Sequence, residues 1–276
     1  MSLKDFFNTY INSNVAQRSV TGLAMSIGVS VIFFNLPAIY TTIMILSVCL
    51  YAGFVELPYL ADPRSRFYWI LLFFYIAPGT ACMVMMNYSY FFRNFLFILA
   101  VLVMKHDTAA YIFGNFFGRT PLAPWLSPKK TIEGSIGAFT TVLATALIFL
   151  FHANIKLNSL YAQKGLFSKK MATSYPWQVV VLTAYALTFL LSILGTAGDL
   201  FESYLKRRAG VKDSGTILPG HGGILDRIDS LLFVVPVIYP LTVAVIFYML
   251  ADHVTFSEVL FEKFWKIGQL KYLNIR

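Results

Sequence analysis

Residues 177–229 read WQVVVLTAYALTFLLSILGTAGDLFESYLKRRAGVKDSGTILPGHGGILDRID. The first part, residues 177–198, contains no charged side chain. As a helix rising about 1.5 Å per residue it is long enough to cross the roughly 30 Å hydrocarbon core of a bilayer. From Gly198 onward the text changes to carboxylates, cations and glycines. A helix that spans a membrane and ends in a charged face is the reading that decides the fold.

Working outward, comparable apolar segments lie at 20–35, 37–57, 67–86, 88–104, 134–152 and 230–250. They predict an all-α fold, a polytopic transmembrane helical bundle of seven spans, with eight or nine if the apolar text after Lys105 holds further crossings. Turns are expected at Asn35-Leu36-Pro37, Ala61-Asp62-Pro63-Arg64 and Asn87-Tyr88-Ser89. Composition agrees. Of 276 residues 58% are hydrophobic and only 13% charged, against about 25% charged in soluble domains, so there is too little polar surface for a water-soluble globule. Cys49 and Cys82 both fall in apolar runs, which excludes a disulfide framework or thiolate metal site.

Residues 1–19 are too polar for a signal peptide. Leu3, Phe6, Phe7, Tyr10 and Ile11 have helical spacing and suit a short helix lying in the membrane interface, or else a polar tail. The chain divides by motif content into N-terminal membrane segments with this interfacial helix, 1–104, and a catalytic membrane region, 105–276.

Charge is distributed unevenly. The chain carries 22 Lys and Arg against 13 Asp and Glu, a net +9, suited to anionic lipid or anionic ligands. Seven of the acids and nine of the bases lie in two stretches, Lys105–Gly134 and Gly198–Asp229. Any chemistry belongs there.

In the second stretch, a helix continuing past Gly198 places Asp199, Glu202, Ser203 and Lys206 on one face. Asp226 and Asp229 repeat the i, i+3 spacing at the start of the next apolar run. Carboxylates at membrane helices cost about 2.5–3.5 kcal/mol each at a helix centre and call for a compensating partner. Oxygen donors without clustered His or Cys favour Mg²⁺, with Mn²⁺ as a substitute and two ions conceivable, over zinc. Lys206, Arg207, Arg208 and Lys212 are candidate phosphate contacts. The turn Pro219-Gly220-His221-Gly222-Gly223 would let backbone amides approach an anion, with a helix N-terminus near Ile224 adding its dipole. Together these features indicate phosphoryl or nucleotidyl transfer; no G-x-x-x-x-G-K-[ST] loop is present. A solvated basic loop with surface ion pairs is the alternative.

In the first stretch Asp107 is an ionisable residue in apolar text and so a functional candidate. Ser127-Pro128 reads as an N-cap followed by proline at the first helical position. Lys129 and Lys130 would then sit in a first turn, favourable if an anion binds there. A loop with interfacial lysines is the alternative.

The pattern Ser203-x-Leu205-Lys206-Arg207-x4-Lys212-Asp213-x-Gly215-x2-Leu218-Pro219-x-His221-Gly222-Gly223-Ile224-x-Asp226-Arg227-Ile228-Asp229 resembles the signature of the phosphatidate cytidylyltransferases, or CDP-diacylglycerol synthases. The upstream text, Asp107-x2-Ala110-Tyr111-x2-Gly114-x3-Gly118-Arg119 and Leu126-Ser127-Pro128-x-Lys130-Thr131-x-Glu133-Gly134, is similar to that family's other block. The resemblance implies transfer of the cytidylyl group of CTP to phosphatidate, giving CDP-diacylglycerol and pyrophosphate, in a membrane enzyme acting as a homodimer. No nucleic-acid partner is expected. By the same likeness Asp199 and Asp226 bind metal with Glu202 and Asp229 as neighbours. Lys206, Arg207 and Lys212 serve the reaction. Asp107, Ser127, Lys130, Ser203, His221, Gly222, Gly223 and Arg227 contact substrate. Phe201 and Arg208 are minor departures from the pattern.

A CTP-dependent polyprenol or phytol kinase remains an alternative, and a polytopic transporter a more distant one. A CDP-alcohol phosphotransferase would need an Asp-Gly dipeptide, which the chain lacks. Two spans between the stretches put both on one side of the membrane, the cytosol, where CTP is. The active site is therefore expected to open to the cytosol, and the compact length without a long polar N-terminal extension suggests a bacterial inner (cell) membrane. The connection 153–176, with Lys156, Lys164, Lys169 and Lys170 and no acid, would then face outward, against the positive-inside rule.

Overall fold

A computed structural model describes residues 27–164, 177–217 and 222–251. The expected interfacial helix at 1–19, part of the first span at 20–35, and His221 lie outside them. Residues 27–35 are helical. Six helices are long and apolar enough to cross a membrane, at Ala38–Leu60, Arg66–Tyr88, Phe92–Phe117, Ile132–His152, Val181–Arg208 and Leu225–Val245. The protein is an integral, polytopic helical membrane protein. Among the described residues the count is six where the sequence suggested seven to nine.

We number the helices α1 (Ala38–Leu60), α2 (Arg66–Tyr88), α3 (Tyr90–Phe117), α4 (Ile132–Lys164), α5 (Trp177–Arg208) and α6 (Leu225–Ala251). A two-stranded antiparallel hairpin, β1 (Pro121–Ala123) and β2 (Ser127–Thr131), precedes α4. The turns read from sequence are where the helices break: at Leu36-Pro37, at residues 61–65 and at Ser89. Ser65 caps α2, its Oγ accepting from Tyr68 N–H at 3.2 Å. The span expected to end at 104 instead runs unbroken through Lys105-His106-Asp107 to Phe117, so the 104/105 boundary falls inside α3. Within this helix the buried His106 pairs with Asp107, Nδ1 to Oδ1 at 3.2 Å.

Ser127-Pro128 is not a helix start. Both residues belong to β2, and Lys129 and Lys130 are strand residues, not a first turn. The cap is Thr131, whose Oγ1 accepts from Gly134 N–H at 3.1 Å. Glu133 is the acid of that first turn and accepts from the amides of Arg119 and Thr120. The negative side chain near the helix N-terminus satisfies the dipole that the lysines would have opposed.

The chain forms two compact units. Among the described residues one comprises those up to Ile98 and from Phe201; the other comprises those within Leu99–Leu200. In the first unit α2 lies against α6 where Gly79 leaves room for the Leu232 backbone, 3.1 Å from where a Cβ would sit. Asn87, fully buried, donates to Ala38 O and Thr42 Oγ1, both at 2.8 Å, which ties α2 to α1 with the polar contacts a bilayer interior demands. Arg93 is buried and donates to the carbonyls of Phe33 and Leu36, at 2.6 and 2.8 Å, so carbonyls at the end of the 27–35 helix are satisfied. In the second unit Gly134 brings α4 close to the Ala110 carbonyl and to Gly114 on α3, a small-residue crossing. Large side chains such as Phe74, Phe116 and Ile148 are exposed, as expected of a lipid-facing exterior.

Two π turns interrupt the first unit's helices, Ala52–Glu56 in α1 and Leu72–Ile76 in α2. Both contact the start of α6. Glu56 accepts from its first amides, and Tyr75 Oη donates to the Asp229 carbonyl at 3.4 Å. π turns are uncommon and recur at functional sites.

Candidate functional site

Helix α5 does continue past Gly198, to Arg208, so Asp199, Glu202, Ser203 and Lys206 share a face as the spacing predicts. It stops in a Schellman motif. Gly210 takes φ +71°, Gly210 N–H donates to Arg207 O and Val211 N–H to Lys206 O. The stop leaves Lys206 in the last turn of the helix, with Arg207 and Arg208 beside it.

In the first unit Lys206 is the centre of the site. Its ammonium lies 2.6 Å from Glu202 Oε2 and 2.7 Å from Asp226 Oδ1. Glu202 is 1% exposed and the ion pairs sit largely out of water, where removing one partner is costly. Asp226 is in the first turn of α6. Its second oxygen accepts from Ser214 N–H at 3.1 Å and Gly223 N–H at 2.8 Å. Asp229 is buried one turn further along α6. Two buried polar atoms here, Glu202 Oε1 and Ser214 Oγ, have no hydrogen-bond partner in the structure. Buried polar groups are rarely left so, and both residues border Asp226, Glu202 through Lys206 and Ser214 through its amide.

The glycine turn behaves differently from the sequence expectation. Gly222 adopts φ +80°, as a left-handed turn residue must, and residues 218–221 lie outside the described structure. Yet the amides at the start of α6 do not wait for an external anion. Gly223 N–H goes to Asp226, and Ile224 and Leu225 N–H donate to Glu56 Oε1 and Oε2 at 2.8 and 2.6 Å. The helix N-terminus near Ile224 is therefore filled by the protein's own carboxylate. Sequence reading missed Glu56 because a lone acid in an apolar run, 168 residues from its partner, carries no pattern. Arg207, Lys212 and Arg227 are exposed and Ser203 half-buried. Arg208 stacks on Phe67, its guanidinium carbon 4.0 Å from the ring centre.

In the second unit two sequence candidates meet each other. Lys130 Nζ lies 2.5 Å from Asp199 Oδ2, joining β2 to α5. Ser127 stands at the other end of the same strand. Asp107 is exposed and pairs with the buried His106, whose Nδ1 is 3.2 Å from its Oδ1 and whose Nε2 lies 3.5 Å from Thr196 Oγ1. His106 is a further residue that sequence reading passed over.

The donors fit a hard divalent cation in chemistry: carboxylate oxygens only, one of them orphaned on Glu202. Among the described residues no group of three or more His, Cys, Asp or Glu side chains is placed to hold a metal ion, and Lys206 already stands between Glu202 and Asp226. Mg²⁺ does not require such a group, being held typically by one or two carboxylates plus substrate phosphates.

Six apolar helices with a buried carboxylate–lysine cluster where two of them end and begin, edged by exposed cations, define a class of membrane protein built to handle phosphorylated ligands. Residues 23–245 match the model of the cytidylyltransferase family. The chain is 31% identical over 245 residues, 86% of its length and 84% of the relative's, to a phosphatidate cytidylyltransferase of Staphylococcus aureus. It is 36% identical over 192 residues, 67% of its length and 65% of the relative's, to one of Staphylococcus haemolyticus. With one of Bacillus subtilis it shares 38% over 153 residues, 55% of its length and 49% of the relative's. The chain belongs to the cytidylyltransferase family.

Proposed function

We propose that this protein transfers the cytidylyl group of CTP to phosphatidate, forming CDP-diacylglycerol and releasing pyrophosphate. Both substrates are anions, and bringing them together is first an electrostatic problem. Two like unit charges 4 Å apart repel by about 4 kcal/mol at an effective dielectric near 20. The observation that carries the reading is the Lys206 ammonium held between Glu202 and Asp226 at a helix end, with Arg207, Lys212 and Arg227 exposed nearby in sequence. These cations would neutralise the phosphates of CTP and lipid. A phosphatidate oxygen then attacks the α-phosphorus in line and pyrophosphate leaves. That oxygen is already ionised at neutral pH, so no side chain need act as general base.

Asp199, which the family resemblance also assigns to metal, pairs with Lys130 in the second unit; in the first unit Glu202, Asp226 and Asp229 are the residues that would hold Mg²⁺. Bound there, the ion would supply charge stabilisation to the transferring phosphoryl group. Holding Lys206 at two carboxylates orients the ammonium before substrate arrives, and pre-set donors cost little reorganisation. Lys130, Ser127 and Asp107 in the other unit are proposed substrate contacts. Lys130 would exchange Asp199 for phosphate. The protein is proposed to work as a homodimer in a bacterial inner membrane with its site open to the cytosol. In support, α4 and α5, an even number of helices, separate the two motif stretches.

The test is purified protein in detergent with phosphatidate, α-labelled CTP and Mg²⁺. Label is expected in a lipid product and lost on adding EDTA. An unlabelled lipid fraction from protein of intact fold would overturn the reading.

A further inference from the structure

We propose that Glu56 is a positioning residue for this transfer: it fixes the first turn of α6 and so sets where Asp226 and Asp229 point. The inference rests on the functional reading above. Glu56 is 1% exposed. Both its oxygens are committed, Oε1 to Ile224 N–H at 2.8 Å and Oε2 to Leu225 N–H at 2.6 Å. Among the described residues no ion pair includes it. A capping Ser or Asn local to α6 would satisfy such amides without burying a carboxylate. Instead the acid arrives from α1, at the last position of a π turn.

Space has been kept for it. A Cβ on Gly215 would stand 2.6 Å from Glu56 Oε1, and one on Gly223 2.8 Å from the same atom. The loop Ser214-Gly215 also donates an amide to Asp226. One carboxylate thus registers three pieces: the π turn of α1, the loop after α5 and the first turn of α6. The amides run in sequence from Gly223, which holds Asp226, to Ile224 and Leu225, which hold Glu56. A shift at Glu56 therefore passes directly to Asp226. Misplacing reacting groups by about 1 Å can lower turnover on the order of a hundredfold.

The experiment uses the full chain in detergent, as wild type, E56Q, E56A, G215A and E56A/G215A. Turnover and KM for CTP are measured beside amide exchange over residues 222–230 by mass spectrometry. We expect E56A to lower kcat on the order of a hundredfold with KM changed less than about threefold. E56Q, keeping one acceptor, should recover part of that loss. G215A, which crowds Glu56 without removing it, should lower kcat and speed exchange in the same segment. The double variant should be no worse than E56A, because both act on one contact. G215A and E56Q carry the test if E56A does not fold. The proposal is overturned if E56A keeps kcat within about threefold, if the two losses multiply, or if exchange at 222–230 is unchanged in every variant. A wild type that transfers no label overturns the functional reading instead, and the exchange arm alone then decides whether Glu56 holds this turn.

Discussion

Lys206 and Asp226, on two different membrane helices, meet through an ammonium–carboxylate contact of 2.7 Å. The contact ties the end of α5 to the start of α6, and Glu202 joins it from the preceding turn of α5. Its removal leaves two buried carboxylates facing each other. Lys206→Met is therefore expected to cost about 3–5 kcal/mol of stability, the scale for breaking a buried pair. The measurement is thermal unfolding in detergent, where the melting temperature should fall clearly below that of the wild type. Turnover should vanish in the same variant.

Asp226 accepts from Lys206 and from two backbone amides. Asp226→Ala should lower cytidylyl transfer by at least about a hundredfold, the scale for losing a pre-organised electrostatic group. The assay is initial rate at saturating CTP. Asp199→Ala is expected to show a comparable loss, and near wild-type transfer would remove Asp199 from the machinery.

Lys130 and Asp199 are partners at 2.5 Å, so their variants should not act independently. Lys130→Ala and Asp199→Ala combined should lose less activity than the product of the single losses, with a coupling of about 0.5–3 kcal/mol. Kinetics of the four proteins in one mutant cycle measure it. Lys130→Ala alone should raise KM for CTP if the lysine passes from Asp199 to phosphate.

Gly79 is a packing position on α2, set against Leu232, one turn beyond Asp229 on α6. A Cβ there would stand 3.1 Å from Leu232 Cα and 3.2 Å from its carbonyl oxygen. Backbone cannot yield as a side-chain tip can, so Gly79→Ala is expected to cost about 1–3 kcal/mol through overpacking of α2 against α6. The check is a lower melting temperature in detergent.

Much of the bundle is legible in the chain because hydrophobic length and turn residues are local signals. The breaks at Pro37, Asp62-Pro63 and Ser89 need no partner to be read. Lys206, Glu202 and Asp226 were also within reach, since helical spacing and membrane cost together single them out. Ser127-Pro128 was misread because a Ser-Pro pair looks the same before a helix and within a strand. The pairing of β2 with Pro121–Ala123 decides between them, and that pairing is not local. Glu56 was out of reach for the same reason in a stronger form. Its role exists only once α1 and α6 are packed. The π turns were invisible too: an extra residue rotates the rest of a helix by about 100°, but these helices are apolar on every face and have no stripe to displace.

The most direct test of the central claim is a parallel assay with CTP labelled at the α- or the γ-phosphate, using phosphatidate as acceptor and Asp226→Ala as control. A cytidylyltransferase centred on Lys206 and Asp226 puts α-label into lipid and γ-label into released pyrophosphate, and the control does neither. Label from the γ-position in lipid, as a kinase would give, or α-label incorporated equally by the control, would contradict it.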